Sequence, residues 1–120
     1  MEIKVKRVYE AFSDKDGLRV LVDKFWPRGV KKSALQYDIW AKEVAPSSEL
    51  RRTFHLNPDQ NWPAFVKEYT EELEHSDAFK SMIEEIREIN PSCITLLFAF
   101  KNCDKNHALI LKSAMEKALS

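Results

Sequence analysis

A chain of 120 residues that is 44% hydrophobic and 32% charged has the composition of one globular domain, residues 1–120. It can build a core without disulfides or metal, and it is not a disordered segment. Its 19 Lys and Arg balance 19 Asp and Glu, so no whole-molecule field draws it to nucleic acid or anionic lipid.

Ile3 to Val8 reads as a first strand, with Ile3 and Val5 alternating against Lys4 and Lys6. Met1-Glu2-Ile3-Lys4 lacks the apolar core of a signal peptide, and no run approaches the ~18–20 apolar residues of a membrane span. A cytoplasmic protein is expected. Asp14-Lys15-Asp16-Gly17 signals a turn, and Leu18 to Val22 follows as a second strand. That strand ends abruptly in Asp23, with Lys24, Trp26, Pro27, Arg28 and Gly29 close behind. Pro27 fixes its own φ and pushes Trp26 towards an extended conformation, while Gly29 opens backbone angles that other residues resist. From Lys31 to Ala45 the pattern is double. Tyr37, Ile39 and Ala41 suit extended chain, whereas Ile39, Trp40 and Val44 would lie along a helix, and Pro46 closes the segment.

Ser47 or Ser48 caps a short helix through His55, with Glu49 in its first turn, where the helix dipole favours an acid. Asn57-Pro58-Asp59 restarts the chain. Trp62, Phe65, Val66, Tyr69 and Leu73 then recur on one helical face as core residues, with Pro63 in the first turn. After Ser76, the residues Phe79, Met82, Ile83, Ile86 and Ile89 describe a third helix stopped by Asn90-Pro91. Residues 61–120 carry 7 Lys and Arg against 10 Asp and Glu, a charge of −3 that mirrors the +3 of residues 1–60. The glutamates between Glu68 and Glu88 read as solvated helix faces.

Ile94 to Phe100 holds no charge, so both its faces need cover, the signature of a central parallel strand. Cys93 and Cys103 bracket this strand. Seven residues at ~3.3 Å each hold the thiols on the order of 20 Å apart, far beyond the ~7 Å limit between bridged Cα atoms. His55, His75 and His107 show no ligand spacing with each other or with the cysteines, so no metal is expected. A last helix carries Ile110, Leu111, Ala114, Met115 and Ala118, with Asp104 as its N-cap and Lys105, Asn106 and His107 in its first turn. The sum is a single α/β domain with a small, mostly parallel sheet and helices packed on both faces. In such sheets ligands bind outside the carboxyl ends of the strands, where Asp23 and Lys101 both fall.

The stretches VDKFWPRGV, APSSELRRTF, NWPAFVKEYTEEL and ITLLFAFKNCDKNHALIL together resemble the YeaO-like family of small proteins, a domain of unknown function. The resemblance runs from about residue 3 to 115 and implies an α/β fold in a cytoplasmic, mostly prokaryotic setting. Its pattern falls here on Asp23, Trp26, Pro27, Arg28, Gly29, Arg51, Asn106 and His107, among others. One departure is clear. The family's last loop has an acidic run and a His before the Asn, whereas this chain reads Asn102-Cys103-Asp104-Lys105.

Asp23 and Arg28 either pair to lock their turn, with Trp26 as a hydrophobic lid, or present Arg28 as a planar fork for a carboxylate or phosphate beside a Trp26 wall. Arg51, on a helix that starts at Ser47 or Ser48, is a second anion contact. Asn106 would orient a ligand, and His107 or Asp23 would move protons. The expected partner is therefore a small anionic molecule, such as a phosphorylated metabolite, at the carboxyl edge of the sheet. Whether a reaction follows is left open. The rival reading makes the Trp-Pro-Arg-Gly loop a docking surface for protein or, less in keeping with zero net charge, for nucleic acid. A nucleophilic Cys103 is disfavoured, because its loop has no glycine and Leu109 stands where a thiol phosphatase needs Arg. No Walker loop, Gly-x-Gly-x-x-Gly, Gly-x-Ser-x-Gly or His-Glu-x-x-His is present, and no cofactor is expected.

Overall fold

The computed structural model describes residues 1–120. Strands β1 (Glu2–Arg7), β2 (Leu18–Leu21), β3 (Ile39–Trp40) and β4 (Cys93–Phe98) form an all-parallel sheet in the order β1-β4-β2-β3. Helices α1 (Ser48–Leu56), α2 (Pro58–Glu74) and α3 (Asp77–Ile89) lie between β3 and β4, and α4 (His107–Leu119) closes the chain. The α/β domain read from the sequence is the one that forms, and the chargeless strand is central. All six residues of β4 are buried between β1 and β2.

The two faces of the sheet are covered by different kinds of chain. Parallel crossovers are right-handed, so the face each one covers follows from the direction in which it travels. The β1–β2 and β2–β3 connections step one way across the sheet, and the β3–β4 connection steps back. Accordingly Val20, Val22, Ile94, Leu96 and Phe98 share one core with buried side chains from all four helices. Leu21 and Leu97, on the other face, pack against Val8, Leu35, Trp26, Val30 and Trp40. Here a 3-10 turn (Asp14–Asp16) and irregular chain stand in place of the expected helices. The turn at Asp14–Gly17 and the Pro27–Gly29 break leave neither connection a run of helical periodicity.

That second face is held by a buried charge cluster. Asp16 and Arg19, each only 3% exposed, form an ion pair, and Lys6 Nζ joins at 3.1 Å. The Ser13 backbone N–H donates to Asp16 at 3.1 Å, and Thr95 Oγ1, from β4, donates to the Asp16 carbonyl at 2.7 Å. Burial works to raise the Asp16 pKa, but the Lys6 and Ser13 hydrogen bonds and the Arg19 guanidinium outweigh it and hold the carboxyl below its ordinary 3.8. Gly17 follows at φ +66°, where a Cβ would lie 2.2 Å from the Cys93 carbonyl oxygen.

On the helical face, Phe54 of α1 stacks on Phe65 of α2 with centroids 4.1 Å apart. Asn57 caps α2 by accepting from Gln60 N, so the helix starts at Pro58 and Pro63 falls in its second turn, not its first. Tyr69 is fully buried and donates to the Val44 carbonyl at 2.8 Å; burial pushes its phenol pKa far up, so it stays a donor. That bond fixes the segment ahead of α1 against α2.

Asp16→Asn leaves Arg19 buried without its counter-charge and is expected to cost roughly 3–5 kcal/mol in urea unfolding at pH 7. Because the native carboxyl titrates below its unfolded value, the wild-type advantage should hold constant above about pH 4 and shrink as pH falls further. A difference that grows in acid would contradict this. Gly17→Ala combines a positive φ with a clash against β4 backbone, and should destabilise by well over about 1 kcal/mol in the same assay.

Candidate functional site

The winding reversal has a local consequence at the carboxyl ends of β2 and β4. Chain leaving β2 turns to one face of the sheet, and chain leaving β4 runs to α4 on the other. Between two such neighbours a crevice opens, the usual ligand position in a parallel α/β sheet. Asp23 sits at its base. The Asp23 Oδ2 accepts from Ala99 N at 3.0 Å, just past β4, and the Asp23 carbonyl accepts from Trp40 Nε1 at 2.7 Å.

The crevice is a cavity of about 630 Å³, a size that suits a small molecule. Asp23, Trp26, Arg28, Arg51 and His107 all line it, so five of the six sequence candidates come together. His107 Nε2 lies 3.0 Å from Asp23 Oδ1, a contact that becomes an ion pair when the imidazole is protonated. Arg51 Nη1, on another wall of the same cavity, is buried with neither a hydrogen bond nor an ion-pair partner. An unpaired buried polar atom costs about 1–3 kcal/mol.

The sixth candidate lies elsewhere. Asn106 is fully buried outside the lining and serves as the N-cap of α4, displacing the expected Asp104. Its Oδ1 accepts from Leu109 N at 3.1 Å, and its Nδ2 donates to the Asn102 carbonyl at 2.9 Å. Asn102 Oδ1 in turn accepts from the backbone of Asp104 and Lys105, which turns the loop and leaves His107 as the first helical residue. Asn106 thus positions His107 and spends its own polar groups doing so.

The Asp23–Arg28 pair, one of the two readings of this turn, does not form, since Asp23 is turned back to Ala99 and His107. Arg28 is exposed at the mouth, with its carbonyl held by Tyr9 Oη at 3.0 Å. Trp26 donates to the Val30 carbonyl at 2.6 Å and meets Trp40 edge-on, so one side of the indole is structural while the residue still walls the cavity. At the start of α1, Ser47 caps Leu50 N, and its own N–H donates to Glu72. The helix start is therefore occupied, and it is Arg51, one turn on, that serves the crevice.

His55 was not among the candidates. It lies four residues after Arg51, a spacing that puts both on one side of α1, and it stacks on Phe100 with centroids 4.7 Å apart. Burial pushes its pKa below the ordinary 6.5, and the positive charge of Arg51 and then His107 adds to the shift. Lys24, Arg28, Arg51 and Lys101 face the cavity against one carboxylate, so a molecule of zero net charge concentrates cations here. No three His, Cys, Asp or Glu side chains meet as a metal site, and Cys103 is exposed away from the lining. No helix is long and apolar enough to cross a membrane.

Residues 2–120 match the family model described as the inactive DUF488-N3 subclade, and the chain belongs to that family. It is 41% identical over 111 residues to the uncharacterized protein YeaO of Escherichia coli, covering 92% of this chain and 94% of that one. It is 39% identical over 110 residues to the uncharacterized proteins Rv3073c of Mycobacterium tuberculosis and Mb3100c of Mycobacterium bovis, covering 91% of this chain and 89% of each. The resemblance to the YeaO-like family is thereby borne out. No solved structure matches.

In an NMR titration, His55 should have a pKa below 6.5, and Arg51→Gln should move it up part of the way by removing one neighbouring charge. A His55 that titrates at its ordinary value in both proteins would show that Arg51 and the aromatic wall do not act on it.

Proposed function

We propose that this member of the inactive DUF488-N3 subclade binds a small anion, a phosphorylated or carboxylated metabolite, at the carboxyl edge of its sheet. The observation that carries the reading is Arg51 Nη1, buried without a hydrogen-bond or ion-pair partner in a cavity that four cations line against one carboxylate. A bound oxyanion would accept from Arg51 Nη1. A proton on His107 Nε2, shared with Asp23 at 3.0 Å, offsets the carboxylate that would otherwise repel an anion. Arg28 and Lys101 add attraction from the mouth, weakened by solvent.

Binding is favoured over covalent catalysis. No serine, threonine or cysteine lines the cavity, so the usual hydroxyl or thiol nucleophiles are missing. The subclade description, inactive, points the same way. Any proton transfer here would run through Asp23 and His107, the pair already in contact.

The docking alternative draws support from Phe25, 65% exposed on the same loop. Its nucleic-acid form is weaker. Of the basic residues that could extend the loop to nucleic acid (Lys4, Lys6, Arg7, Lys24, Lys31 and Lys32), Lys6 is spent on Asp16, and Arg7 donates to the Ala99 and Phe100 carbonyls.

Thermal unfolding with phosphorylated and carboxylated metabolites, each beside its neutral parent compound, tests the reading. A bound anion at ~100 times its dissociation constant adds about 2.7 kcal/mol, a rise of roughly 10 °C for a domain of this length. The rise is expected with wild type and not with Arg51→Gln. Equal shifts from the neutral parents, or no shift from any anion, would overturn it and leave the loop as a docking surface.

A further inference from the structure

The lining of the cavity also bears on what is attached to the anion. Phe25 is 65% exposed and Tyr9 50% exposed, and both line the cavity. The Arg51 guanidinium lies 5.2 Å from the centre of the Phe25 ring, and that of Arg7 lies 4.8 Å from the Tyr9 ring. Tyr9 is further tied through its hydroxyl to the Arg28 carbonyl. A third flat surface is the stacked pair of Phe100 and His55. Aromatic faces left in water at a cavity mouth are surfaces on which a flat apolar group can stack.

Arg51 belongs to both chemistries. One of its nitrogens is buried and unpartnered, while its guanidinium plane keeps company with Phe25. An anion on Arg51 and a ring against Phe25 are thus separated by about the span of one small molecule. Resting on the anion-binding reading above, we propose that the ligand is an anion bearing a planar ring, attached within a bond or two of the acidic group. The acid meets Arg51, and the ring stacks at the mouth on Phe25 and Tyr9.

Calorimetric titration with phenyl phosphate, glycerol phosphate and inorganic phosphate separates the two levels. Wild type should bind phenyl phosphate roughly ten-fold more tightly than glycerol phosphate, the scale of one aromatic stacking contact. Phe25→Leu keeps apolar bulk but loses the flat face and should bring that ratio close to one, and Phe25→Trp should restore it. Equal affinity for the two organic phosphates in wild type would overturn the ring while leaving the anion site. A ratio unchanged in Phe25→Leu would overturn the assignment to this mouth. No binding of any of the three phosphates would overturn the ring-bearing phosphate here, and the thermal series above then decides whether other anions bind at all.

Discussion

The constraint on which this structure rests is that β4 lies between two parallel neighbours, with no residue of its own in water. A strand in that position needs cover on both faces, and parallel neighbours need connections that cross the sheet. The chain meets both needs by winding one way from β1 to β3 and back to β4. Core, crevice and the asymmetry between the faces all follow from that reversal. The helices carry the larger core, and the opposite face rests on Leu21, Leu97, two tryptophans and a buried ion cluster.

Charge follows the same geography. Asp16 is met by two cations and a backbone N–H, so its group is satisfied and its contribution is to stability. At the crevice the balance is reversed, with four cations facing one carboxylate and Arg51 Nη1 buried unpaired. Folding accounts for the Asp16 cluster and leaves the Arg51 nitrogen without a structural partner.

What could be read from the sequence depended on how local the signal was. The absence of charge from Ile94 to Phe100 placed β4, which ends two residues sooner at Phe98, and the spacing of Phe65, Tyr69, Met82 and Ile86 placed two helices, because burial on one side imposes a period. The turn after Asp23 pointed to the carboxyl edge for the same reason. β3 was ambiguous because two residues are too few to show any period. Asn106 shows a different limit. It differs from Asp104 as a cap only through a hydrogen bond to Asn102, and that bond depends on the path of the loop. The place of His55 beside Phe100 joins positions 45 apart, which no spacing rule reaches.

The pairing scheme also sets a timetable. β1 has no partner in the sheet except β4, and β2 has only the two-residue β3 until β4 arrives. At ~5–20 residues per second, a ribosome that has finished β1 needs roughly 5–20 s more to supply β4. Throughout that interval Ile3, destined for the core, has no strand to join, and Val20 and Leu21, once made, have only β3. The helices can form as they emerge, but the sheet is assembled late, from contacts distant in sequence, and folding of this kind is slow for its size. Lys4 and Lys6, alternating with the apolar residues of β1, keep the waiting strand from pairing with another chain.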